Sequence, residues 1–152
     1  MKAPTRVLLT LLLLFLDMHV MAAANDKRDF EASSAVVTLD VFSGRPNPAW
    51  SLSEPMTTEL LRRLKALDAS KVDGPEFDGL GYRAVRAVFQ DQAEGVIVTA
   101  SRGIVTLEQA SQRFHYADAG RQFELWLVNT GAGHVSSDVL QYVTREIGSK
   151  PQ

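Results

Sequence analysis

The chain contains no cysteine. That absence excludes disulfides, thiol nucleophiles, zinc–thiolate centres and a lipid-modified cysteine anchor. The fold must hold together by packing alone. No Asn-x-Ser/Thr acceptor for glycosylation occurs. An excess of one charge is also missing. There are 16 Lys and Arg against 18 Asp and Glu, for a formal net charge of −2. No basic stripe is present, so nucleic acid is not an expected partner. No block of like charge suggests an interaction tail or a membrane-surface helix. Internal repeats and low-complexity segments are absent.

Familiar catalytic spacings are absent too. There is no H-E-x-x-H. The serines of "FSGRP" and "ASRGI" do not sit in a G-x-S-x-G elbow. "GAG" and "GLGY" lack the strand–loop–helix frame of a phosphate loop. Asp73, Glu76 and Asp78 share a loop but not EF-hand spacing, so a solvated loop is expected there. No cofactor or resident metal is expected.

Long hydrophobic runs are lacking apart from residues 7–16, which only Thr10 breaks. Asp17 and His19 stop that run short of the ~20 residues a bilayer span needs. Lys2 and Arg6 precede it, and Ala22 and Ala24 stand at −3 and −1 of a cleavage site. Residues 1–24 therefore read as a secretory signal peptide cleaved after Ala24. The expected location is the periplasm or the outside of the cell, with no membrane association after cleavage. Removing 24 residues from 152 leaves 128, the size of one domain. Without Lys2, Arg6 and Asp17 the net charge becomes −3. Residues 25–33 are polar and read as a loose N-terminus.

The rest of the chain is patterned. Residues 35–42, "AVVTLDVF", alternate as a strand, with Val37, Leu39 and Val41 on the core face. Ser53 is placed to cap a helix, with Pro55 tolerated in its first turn. Met56, Leu60, Leu64 and Leu67 then recur at helical spacing to about Asp68. A loop with three glycines follows over 69–81. Residues 82–89, 96–100 and 104–107 read as strands, the last two joined by a tight Ser101-Arg102-Gly103 turn. Residues 108–116 read as a loop or short helix. Asp118 is placed to cap a helix to about Asn129, with Phe123, Trp126 and Leu127 inward and Gly131 stopping it. Ser136 or Ser137 caps a last helix with Val139, Leu140, Val143 and Ile147 inward. The Gly-Ala-Gly link makes these two helices an antiparallel pair. The order is not a regular βαβ alternation. It predicts a small single α+β domain, a mostly antiparallel sheet of about four strands with about three helices on one face.

One stretch stands out, "SGRPNPAW" at residues 43–50. Gly44 permits a turn conformation. Pro46 and Pro48 fix their own φ and push Arg45 and Asn47 toward extended shapes. A stiff loop binds with little ordering cost. Arg45 would grip a carboxylate or phosphate with two parallel hydrogen bonds. Trp50 would either stack on a ligand or plug the core beneath the loop. Arg45, Asn47 and Trp50 are thus the expected binding residues. They point to a non-enzymatic exported binding module whose partner is a protein, such as an enzyme or toxin that it restrains. A different class is a small exported hydrolase using His115, His134 and Asp118, with or without a metal, if the fold brings them together. No sequence neighbour fixes their geometry, and surface histidines are the plainer expectation.

Overall fold

The computed structural model describes residues 27–68, 72–75, 81–92 and 95–149. Residues 1–24, read above as a signal peptide, lie outside the described residues. Strand β1, Ala35–Asp40, leads through the proline-rich loop into β2, Ala49–Leu52. Helix α1, Glu54–Lys65, comes next. Strands β3, Ala84–Phe89, β4, Val96–Ser101, β5, Ile104–Gln109, and β6, Gln112–Ala117, form a meander. A single 3₁₀ turn, Ala119–Arg121, precedes helix α2, Gln122–Asn129, and then helix α3, Ser137–Gly148.

The six strands form one sheet in the order β2-β1-β3-β4-β5-β6. Every neighbouring pair is antiparallel. The class is α+β, as the sequence pattern predicts. Among the described residues the strand count is six rather than four. Two short strands account for the difference. β2 follows two prolines and is four residues long, with only Trp50 and Leu52 inward, so it carries little periodic signal. β6 mixes Arg113, Phe114, His115 and Tyr116, a composition that does not separate strand from helix. Its tight link to β5 decides the matter. Ala110 and Ser111 both take positive φ, 50° and 63°. That is the type I′ geometry that matches the twist of a hairpin.

Alternation along the sheet sorts the faces. Ala35, Val37 and Leu39 of β1, Val85 and Ala87 of β3, Val98 of β4 and Leu107 of β5 are buried under the helices. Leu60 and Leu64 of α1, Leu127 and Val128 of α2, and Val143 and Ile147 of α3 close the same core. Removing one such Leu to Ala costs about 2–5 kcal/mol. Ser53 occupies the N-cap position of α1 without a side-chain cap bond. Its carbonyl instead accepts from the Thr57 N–H at 2.8 Å and the Thr57 hydroxyl at 3.0 Å.

The segment read as a loose terminus is anchored from residue 28 on. Arg28 is buried and donates to the carbonyl of Leu67, two residues past the end of α1, at 2.6 Å. Phe30 meets the Phe89 ring edge-on at 5.1 Å. Among the described residues no helix is long and apolar enough to cross a membrane.

Candidate functional site

The loop over residues 41–48 links β1 to β2, and its shape comes from one side chain. Asn47 Oδ1 accepts the backbone N–H of Val41 at 3.0 Å and of Phe42 at 2.8 Å. Asn47 Nδ2 donates to Asp40 Oδ1 at 2.9 Å. The other carboxylate oxygen of Asp40 accepts from Arg83 Nε at 3.0 Å, and Arg83 Nη2 bridges Asp40 Oδ1 and the carbonyl of Phe42. The Arg83 guanidinium beside Asp40 holds its carboxyl below the usual range. Pro48 keeps the loop in register by accepting the Leu39 N–H at 2.9 Å. Gly44, at φ +82°, makes the turn that L side chains resist.

Arg45 rides on this frame. It is exposed, and its guanidinium lies over the Phe42 ring, 3.5 Å from the centroid. Stacking occupies one face of the guanidinium and leaves its N–H edges outward. Among the described residues no carboxylate pairs with it. The arrangement can do one thing well: offer a fixed, bidentate cationic donor to an anion.

The three residues singled out by sequence therefore part ways. Arg45 faces solvent. Asn47 spends its carboxamide on the loop itself. Trp50 is only 5% exposed and points into the core. Its Nε1 donates to Thr130 Oγ1 at 3.0 Å, and its ring lies against Gly131, where an added Cβ would come within 3.0 Å. That ring has no free surface for a ligand. Phe42, Asp40 and Arg83 escaped the sequence reading. Phe42 is three residues from Arg45, a spacing that carries no signal in a loop. Arg83 lies 43 positions from Asp40.

The histidine set is not assembled. His115 sits on β6, on the face opposite Tyr116, with Nδ1 at 2.9 Å from Thr106 Oγ1 and Gly74 over its ring. Asp118 is buried beneath the other face. Its two oxygens accept the N–H groups of Phe123 and Glu124, both at 2.9 Å, so it does cap α2. Burial raises its pKa from the usual carboxylate value. His134 is exposed beyond the far end of α2. That helix spans eight residues, about 12 Å at 1.5 Å per residue. Among the described residues no group of three His, Asp or Glu could hold a metal ion.

A second polar cluster is internal. Glu124 is fully buried and accepts from Arg121 Nε at 2.8 Å, Arg121 Nη2 at 2.9 Å and the Tyr82 hydroxyl at 2.7 Å. Burial, with Glu124 alongside, pushes the Tyr82 phenol far above its usual pKa. Arg121 adopts a left-handed backbone, φ 54°, and also reaches the carbonyls of Glu146 and Ile147 at 3.2 Å. These contacts tie α2 to α3 and to the β4–β5 turn.

No known protein family, curated protein or solved structure matches this chain.

Proposed function

We propose that this chain is an exported, non-enzymatic binding module that recognises a partner protein through the β1–β2 loop, with Arg45 as the contact group. One observation carries the reading: an exposed guanidinium, stacked on Phe42 with no carboxylate partner among the described residues, on a loop locked by Asn47. A guanidinium already oriented loses less entropy on binding than a free one. Restraint of an enzyme or toxin fits such a device, since it needs a rigid edge and no chemistry. Export rests on the pattern of residues 1–24.

The test is capture from the envelope and medium of the source cell. The bait is the chain beginning at Asn25, tagged at its C-terminus, beside a folded Arg45→Ala variant. A protein retained by the parent and lost by the variant supports the reading. A protein retained equally by both moves the contact elsewhere.

A further inference from the structure

β2 is an edge strand of the sheet. Leu39 and Pro48 continue the β1–β2 register by one pair, and there the Leu39 N–H donates to the Pro48 carbonyl at 2.9 Å. Bonded positions alternate along an antiparallel pair. Trp50 and Leu52 therefore bond to β1, and the backbone groups of Ala49 and Ser51 point away from the sheet. Among the described residues no other backbone group bonds to them. Both residues are exposed, and both side chains are small. Charged side chains commonly guard an edge against pairing, yet β2 carries none. A charge stands instead beyond either end of this outward row. Arg45 lies four residues before Ala49, and Glu54 lies three residues after Ser51. Glu54 is exposed in the first turn of α1, and among the described residues its side chain makes no ion pair or hydrogen bond.

An edge with a cation beyond one end and an acid beyond the other is complementary to itself. Two copies of it fit when they run antiparallel. With Ala49 of one copy opposite Ser51 of the other, each such pair exchanges both of its backbone bonds. Counting outward from that pair by three residues on each strand sets Pro46 opposite Glu54 of the second copy, one residue from Arg45. We propose that β2 pairs with β2 of a second copy about a two-fold axis, with Arg45 of each copy against Glu54 of the other. The symmetry makes the contact twice and closes it at two copies. Two short strands bury far less area than a stable dimer does, so association belongs at about 0.1–1 mM. This inference rests on the β1–β2 reading and adds a control on it. The second copy holds the guanidinium that the captured partner needs, so dimer and partner compete.

The chain beginning at Asn25 is followed by sedimentation and by amide shifts over about 0.01–1 mM. The expected result is a monomer–dimer equilibrium, with concentration-dependent shifts centred on Ala49 and Ser51. Ser51→Pro removes an outward N–H that β1 does not use, a place where an edge strand tolerates proline, and should leave a monomer. Arg45→Glu and Glu54→Arg each set like charges together twice and should weaken the dimer about tenfold. Combined in one chain, they should restore it to within about threefold of the parent. Arg62→Ala, on a helix cation paired with Glu59, changes nothing. A thermal midpoint near the parent's verifies that each variant is folded. A chain that stays monomeric throughout, or a dimer left intact in Ser51→Pro, overturns the β2 contact. A combined variant as weak as either single one overturns the pairing of Arg45 with Glu54. Both results leave the earlier reading standing, since that reading fails only if Arg45→Ala retains the captured partner. Monomeric Glu54→Arg should hold that partner at least as tightly as the parent, and weaker capture overturns the competition.

Discussion

The carboxamide of Asn47 turns back on its own loop and bonds to Asp40, seven residues earlier, at 2.9 Å. With the two N–H groups it accepts, Asn47 closes the loop that a pair of prolines only stiffens. Asn47→Ala leaves the N–H groups of Val41 and Phe42 without their acceptor. Half-buried orphan donors cost about 1–3 kcal/mol. Denaturant unfolding should show a loss in that range with an unchanged slope. A variant as stable as the parent would mean that the prolines suffice.

The Asp40–Arg83 pair predicts a pH response. Arg83 lowers the folded pKa of Asp40 below the ordinary 3.8, so the folded chain holds that proton less readily than the unfolded chain. The pair's stabilisation is present above that ordinary value and is lost as pH falls through the lowered folded one. Asp118 runs the other way, since burial raises its pKa and protonation then favours the folded state. Unfolding free energies measured down an acid series should fall less steeply in Asp40→Asn than in the parent. Equal slopes would remove Asp40 from the acid response.

Glu124 and Arg121 form a buried ion pair whose partners are not equivalent. Glu124 has no exposure, whereas the Arg121 side chain keeps 18%. Arg121→Ala strands a buried carboxylate and should cost about 3–5 kcal/mol. Tyr82→Phe removes one donor of several and should cost about 1 kcal/mol. Replacing Arg121 and Glu124 together by Met and Leu should cost less than Arg121→Ala alone. A double variant worse than the single one would contradict the ion-pair account.

The β5–β6 turn carries correctable strain. Ala110 and Ser111 sit at positive φ, a conformation that Asn and Gly adopt readily. Ala110→Asn with Ser111→Gly should raise stability by about 0.5–1 kcal/mol, read from the thermal midpoint.

That turn also explains what the sequence hid. A hairpin built on Ala-Ser lacks the Asn-Gly signature, so β6 passed for a loop or short helix. The long amphipathic elements were legible because Leu60, Leu64, Val143 and Ile147 repeat at helical spacing. The β1 faces were legible because Val37 and Leu39 alternate with Thr38 and Asp40. The site was legible in part. Glycine and proline marked the loop, and Arg45 is the exposed member of the trio. The roles of Asn47 and Trp50 depend on partners that no local pattern names. Thr130, which takes the Trp50 indole, is 80 residues away. Arg28 misled for the same reason, since its acceptor, the Leu67 carbonyl just past α1, is 39 residues on.

The most direct test is the affinity of the captured partner for the parent, Arg45→Ala and Asn47→Ala, measured side by side. A charge-assisted pair of about 1.5–3 kcal/mol predicts a loss of roughly 10- to 100-fold in Arg45→Ala. Asn47→Ala, with the guanidinium present but its loop unlocked, should fall between that variant and the parent. Equal affinity for all three would contradict the claim that this loop is the recognition edge.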